Sequence, residues 1–267
     1  MVALRSRIKS PLKAGFTLVE MSIVLVIIGL IIGGVLVGRD LIKSAQTRSL
    51  IRQEKQFETA VQTFRSKYGC LPGDCQNATS FWGQLSSCPG EANSYGTTAT
   101  CNGNADGLIS ANWGDSIEYR EQFRFWQHLG NAGLISGSFS GSISTPGGGN
   151  RPMVNVDMPE SSFKNNYGWL PGYMDSDQIT IYLPMGSANS LFLNPNQSIF
   201  NGGSGITPTD IYDIDRKIDD GYPLTGHVVT ANYVTWYSPG CWNNVTPATY
   251  NTSSTIVTCP LVFTNAF

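Results

Sequence analysis

Charge is scarce in this sequence of 267 residues: Asp, Glu, Lys and Arg together make up 13% of it, and the only two histidines are His128 and His227. Neither histidine is accompanied by a Gly-x-Ser-x-Gly elbow, a Cys-His pair or a phosphate-binding glycine loop, so both read as core or surface histidines. Carboxylate pairs of the glycosidase kind leave no spacing signature, and nothing here singles one out. Cysteine is absent from the first 69 residues, proline from Gly38 to Leu71, and charge from Met21 to Gly38. These three absences divide the chain. A cysteine-free leading segment with no proline between Gly38 and Leu71 suits one long helix, whereas the remainder, rich in Gly, Asn, Ser and Thr, suits a loop-rich secreted fold.

Charge sign divides the chain at the same place. Residues 1–67 hold 11 Lys/Arg against 4 Asp/Glu, and residues 68–267 hold 6 against 15. An acidic head on a basic stem argues against nucleic acid as a partner of the head, because phosphate contacts need clustered Lys and Arg. The six cysteines Cys70, Cys75, Cys88, Cys101, Cys241 and Cys259 all lie beyond the stem, the pattern of disulfides formed outside the cytoplasm. Pairing nearest neighbours, Cys70 with Cys75, Cys88 with Cys101 and Cys241 with Cys259, closes short loops at low entropic cost. Free thiols or zinc ligands are the other reading, but no pair has zinc-site spacing with companion histidines.

Arg5, Arg7, Lys9 and Lys13 precede the uncharged run Met21–Gly38, whose eighteen residues measure about 27 Å as a helix, close to the hydrocarbon thickness of a bilayer. The basic flank predicts a cytoplasmic amino terminus with the rest of the chain on the far side. The run leaves as Val37-Gly38-Arg39-Asp40, without a small-x-small signal-peptidase site, so the anchor stays. Gly29, Gly33, Gly34 and Gly38 supply two small-xxx-small spacings that let membrane helices approach closely; each also weakens the helix by about 1 kcal/mol relative to Ala. Glycine is in any case common in membrane helices.

The string Lys13-Ala14-Gly15-Phe16-Thr17-Leu18-Val19-Glu20 at the head of the run resembles the prepilin processing motif of type IV pilins and type II secretion pseudopilins. The resemblance implies cleavage after Gly15 by a prepilin peptidase, methylation of the new amino terminus at Phe16, and no enzymatic activity. It implies a subunit that leaves the bacterial inner membrane for a periplasmic or surface filament, with other pilin subunits and an inner-membrane assembly platform as partners. An acid at the edge of a hydrocarbon segment is normally retained because it has a partner; by resemblance, that partner of Glu20 is the Phe16 amine of a neighbouring subunit. Snorkelling to the headgroups is the bland alternative.

Leu50, Phe57, Val61, Phe64 and Tyr68 form one apolar stripe, with Arg48, Arg52, Glu54, Lys55, Glu58, Arg65 and Lys67 on the remaining faces. One helix of about fifty residues, roughly 75 Å long, is predicted, ended by Gly69, Pro72 and Gly73. Lys67 to Asp74 also resembles the stem-to-head junction of pseudopilins. The predicted organisation is a leader 1–15, a membrane or filament-core helix 16–38, an amphipathic continuation 39–69 and a disulfide-bonded head 70–267. Farther on, Asp115-Ser116-Ile117-Glu118 has capping-box spacing before an aromatic face of Tyr119, Phe123, Trp126 and Leu129. That face, with Phe125, is core packing rather than a ligand platform. Residues 138–150 read as a flexible surface loop. Strand-like runs at Gln178–Leu183, His227–Tyr237 and Ser254–Thr264 predict an antiparallel pair from the last two, tied near Cys241 and Cys259. Stem plus antiparallel sheet is the α+β arrangement of pilin heads, by resemblance.

Two clusters have the oxygen chemistry of calcium, which takes about six to eight oxygen ligands. Asn102, Asn104 and Asp106 alternate before Gly107 as in an EF-hand loop, though Trp113 stands where the closing glutamate would fall; a plain Asn-Gly turn is the alternative. Asp213, Asp215, Asp219 and Asp220 crowd together around Arg216 and Lys217, either about a cation or splayed into solvent at a tight turn. The leading reading is a structural subunit, a pseudopilin or minor pilin rather than a major pilin given the size of its head. An adhesin or ligand-binding head displayed on the same stem, and a membrane-tethered periplasmic hydrolase, are the alternatives.

Overall fold

A computed structural model describes residues 15–86, 88, 97–109, 121–142, 152–174, 181–182, 188–195, 206–230, 232–233, 240–243, 245–255 and 259–267. The chain divides into two compact units, Met1–Ala45 and Gln46–Phe267. Helix α1 runs from Leu18 to Tyr68, 51 residues, matching the predicted helix. It stops where Gly69 enters the left-handed region at φ 73° and donates its N–H to the Arg65 carbonyl at 2.8 Å, a conformation that costs glycine least.

In the second unit the predicted stripe is the buried one: Leu50, Phe57, Val61 and Phe64 are inaccessible or nearly so, and Tyr68 is half-buried. The face is wider than predicted, because Thr47, Glu54 and Ala60 are buried too. Phe57 meets Trp126 and Trp169 edge-on, with centroids 4.8 and 5.7 Å away, the favoured geometry for aromatic pairs. Past the short helix α2 (Ala78–Trp82), Trp126 lies on α3 (Glu121–Asn131) and Trp169 on β1 (Tyr167–Met174), so one ring ties the stem to both. Gln53 adds a polar tie. Its Oε1 accepts from the Trp169 indole N–H at 2.9 Å and from the Ser162 N–H at 2.8 Å, while its Nε2 donates to the Glu160 carbonyl at 2.7 Å.

The main sheet is antiparallel with order β1-β3-β8-β4, where β3 is Ala188–Pro195, β8 Val262–Phe263 and β4 Val228–Val229. The predicted pairing of the last two strand regions is present as Val228 with Phe263 and Val229 with Val262, though over two residues rather than whole runs. Asn232–Tyr233 (β5) leaves that sheet to pair with Ile181–Tyr182 (β2). A third pair, β6 (Trp242–Asn243) with β7 (Thr249–Tyr250), is a small hairpin. The disulfides are Cys70–Cys75, Cys88–Cys101 and Cys241–Cys259, each joining nearest neighbours.

Two expectations need correction. The start of the stretch read as a flexible loop is packed: Phe139, Ser140, Gly141 and Ser142 are buried, and the Ser140 hydroxyl donates to the buried Asp157 carboxylate. Gly141, at φ 67°, lies so close to Gln127 that a Cβ would fall 2.3 Å from its Oε1. Glycine there serves close approach rather than mobility. Residues 143–150 of that stretch, and the Asp115–Glu118 capping box with Tyr119, lie outside the described residues. Glu54, placed by its charge on the polar face, is instead fully buried.

Candidate functional site

The amino-terminal end of α1 is built from its own sequence. Thr17 precedes the helix, and Glu20 is its third residue. The Thr17 N–H and hydroxyl both donate to Glu20 Oε2 at 2.8 Å, and the Glu20 N–H donates back to the Thr17 hydroxyl at 3.2 Å. This reciprocal capping box satisfies helix-start donors that have no partner within the helix and sets the carboxylate in the favourable field of the helix amino terminus. Only one oxygen of Glu20 takes part; Oε1 accepts none of these bonds. Gly15 and Phe16 stand just before the box, with Phe16 79% exposed.

Beyond it the apolar side chains from Leu18 to Ile42 are exposed, and the helix is long and apolar enough to cross a membrane. A Cβ at Gly29, Gly33, Gly34 or Gly38 would meet nothing within 4 Å. The smallness of these residues therefore answers no packing demand among the described residues.

Each acidic region forms a trio, with a membership different from that read in the sequence. Asp106 joins Asp74 and Glu121, with ligand-type oxygens all within 4.8 Å of one another. Asn102 turns away, its Oδ1 accepting the Thr79 N–H at 2.9 Å, and Asn104 donates to Asp106 Oδ2 at 2.8 Å. Asp74 already accepts the N–H groups of Asp106 and Gly107 at 3.2 and 2.9 Å; burial raises its pKa against these bonds.

The second trio is Asp215, Asp219 and Asp220, at the end of α4 (Pro208–Ile218). Asp213 is not one of the three, as residues two apart on a helix do not share a face. Asp215 is buried and accepts the Tyr250 hydroxyl at 2.9 Å; burial pushes its pKa up to about 7. Asp219 Oδ2 accepts the N–H groups of His227 and Val228. Asp220 accepts the Tyr222 N–H at 2.8 Å and the Thr225 hydroxyl at 2.5 Å. Either trio supplies three carboxylates toward the six to eight oxygens a calcium ion takes, and in both, oxygens are already committed to protein donors.

The histidines differ sharply. His128 is sealed in the core, where Nδ1 accepts the Gly73 N–H at 2.9 Å and Nε2 lies 3.0 Å from the Thr100 hydroxyl. Burial, aided by the nearby Arg124 charge, depresses its pKa to about 3, so it is a neutral structural residue. His227, 3.3 Å from buried Glu54, was missed as half of an ion pair. Nothing in the spacing of residues 173 positions apart could have joined them.

Residues 11–36 match the family described as the prokaryotic N-terminal methylation motif. No curated protein and no solved structure matches the chain at a significant level. The matched stretch contains Gly15, Phe16, the Thr17–Glu20 box and the exposed apolar run up to Leu36. With an α+β body following a long apolar helix, this chain carries at its amino terminus the signature of type IV pilins and pseudopilins, whose members are structural subunits.

Proposed function

We propose that the chain is a structural subunit of a type II secretion pseudopilus or a type IV pilus, cut after Gly15 by a prepilin peptidase, methylated on Phe16 and assembled through its apolar helix. In this reading it waits in the inner membrane with its amino terminus cytoplasmic and its disulfide-bonded head periplasmic. An assembly platform then passes it into a filament of like subunits. A pseudopilin or minor pilin fits the large head better than a major subunit does.

The observation that carries the reading is the half-committed carboxylate of Glu20. A charged acid at the edge of a membrane helix is costly unless it has a partner. Thr17 offsets part of that cost through Oε2, and Oε1 is left to accept the ammonium group that cleavage creates at Phe16 of a sister subunit. The four unfilled glycine positions support helix-to-helix approach on the same segment.

Two measurements test this. Mass analysis of the mature chain is expected to show Phe16 first with one added methyl group; a mature start beyond Gly38 ends the reading. Glu20→Lys is expected to abolish filament incorporation while leaving the melting temperature of the head unchanged, and equal incorporation of wild type and variant would refute the role of the carboxylate.

A further inference from the structure

A cleft of about 380 Å³ opens between α4 and the β6–β7 hairpin, lined by Tyr212, Arg216, Asp220, Tyr222, Thr249 and Tyr250 among others. That volume is within the range of small-ligand sites, roughly 300–1,000 Å³. Its walls are held from behind. The hairpin is fastened by Cys241–Cys259 and by the Asn251 N–H on the Cys241 carbonyl at 3.1 Å. The Tyr250 hydroxyl is anchored on Asp215, and the Thr209 hydroxyl reaches the Thr252 carbonyl at 3.2 Å.

The groups left for a ligand are distinctive. Tyr222 is 42% exposed and Tyr212 half-buried, its ring 5.7 Å from that of Tyr250. The Arg216 guanidinium lies over the Tyr212 ring at 5.3 Å. It is exposed, with its five N–H donors in a planar fork. The Thr249 and Thr252 side chains are exposed at the rim.

Charge narrows the ligand class. A cation is disfavoured because Arg216 lines the cleft and the nearby carboxylates already accept protein donors, Asp215 from Tyr250 and Gly221, Asp219 from Val228, and Asp220 from Tyr222 and Thr225. A polyanion is disfavoured because Asp220 lines it too, with Asp215 and Asp219 close behind. What remains is a neutral ligand with apolar C–H faces for the Tyr222 ring and many hydroxyls for the guanidinium fork and the threonines. We infer that this cleft binds a neutral oligosaccharide, with Tyr222 as the stacking surface and Arg216, held over the Tyr212 ring, as the hydroxyl-binding group. Nothing in this depends on how the stem is processed or assembled.

The test is isothermal titration of the full chain in lipid nanodiscs, free of sugar-headed detergent, with maltotriose, cellotriose and chitotriose, and with a trisaccharide of uronic acids as the anionic comparison. At least one neutral trisaccharide is expected to bind saturably with Kd below about 10 mM. Tyr222→Ala and Arg216→Ala are each expected to weaken it by about tenfold or more, with melting temperatures lowered by no more than about 4 °C because both side chains are exposed. Tyr222→Phe, which keeps the ring, is expected to retain most of the affinity. The inference is overturned if none of the neutral sugars binds, if the uronate binds as tightly, or if binding survives both alanine variants.

Discussion

Replacing His227 by glutamine probes an ion pair that joins the buried face of α1 to the start of β4. The imidazole Nδ1 lies 2.6 Å from the Thr264 carbonyl and Nε2 lies 3.3 Å from Glu54 Oε1. A carbonyl accepts only, so Nδ1 carries a hydrogen; the Glu54 carboxylate requires one on Nε2 as well, and both are present only in the imidazolium. The Glu54 hydrogen bond raises the His227 pKa, opposed by burial and by the charge of Lys55, whose Nζ is 3.7 Å from Glu54 Oε2. Asp219 meets His227 only at its backbone N–H. A folded-state pKa above the unfolded value, about 6.5 for histidine, means the pair stabilises fully below that pH. The contribution is lost as pH rises through the folded value.

Hydrogen bonds to charged groups contribute about 1.5–3 kcal/mol. The long separation and the 24% exposure of the His227 side chain place this one at the low end, about 1.5 kcal/mol, or about 3–6 °C in Tm for a domain of this size. Thermal melts of wild type and His227→Gln from pH 5.5 to 8.5 are expected to differ by that amount at the acid end and to converge at the alkaline end. Asp215, with its carboxyl raised to about 7, makes both proteins lose stability between about pH 4 and 7, and the subtraction removes this common trend. A Tm difference that stays constant across the range would refute the ionic reading and leave only packing.

Gly103→Ala is expected to destabilise the head by about 1–3 kcal/mol or more, because its Cβ would fall 2.4 Å from the Asp74 Cα and 2.5 Å from the Gly73 carbonyl oxygen; chemical denaturation reads this directly. Removing Cys241–Cys259, which spans 18 positions, by serine at both sites is expected to lower unfolding free energy by about 3 kcal/mol, and reduction of the wild type, which also opens Cys70–Cys75 and Cys88–Cys101, should cost more than that.

The stem was legible because its signals are local and repeated: an uncharged run, an apolar stripe at helical spacing, and glycine with proline at the end. The head was less so. The strands β1 and β3 form the longest pairing among the described residues, yet β1 contains Gly168, Pro171 and Gly172, residues that argue against a strand. Its place at the sheet edge accommodates the proline, and Gly168 leaves room for the buried Met158 side chain, whose Cγ would lie 2.6 Å from a Cβ. Helix α4 did carry a start signal, Thr207-Pro208-Thr209-Asp210: the Thr207 hydroxyl accepts the Asp210 N–H at 3.1 Å and Pro208 opens the helix. The aspartates Asp213, Asp215, Asp219 and Asp220 at the far end of that segment mask the helical pattern. Glu54 is a different failure. Its burial depends on a histidine brought in by the fold, and pattern reasoning places a lone acid outside.

The side chain of Gln53 has a mechanical implication. Its amide grips three residues, Glu160, Ser162 and Trp169, through bonds of 2.7–2.9 Å, so a shift of α1 by even one residue, about 1.5 Å along its axis, would break all three together. Tension applied along α1 would therefore meet a dowel rather than a greased bearing: the seam resists sliding until it shears at once, and glutamine-to-leucine substitution at this position would be felt under pulling force far more than in a resting melt.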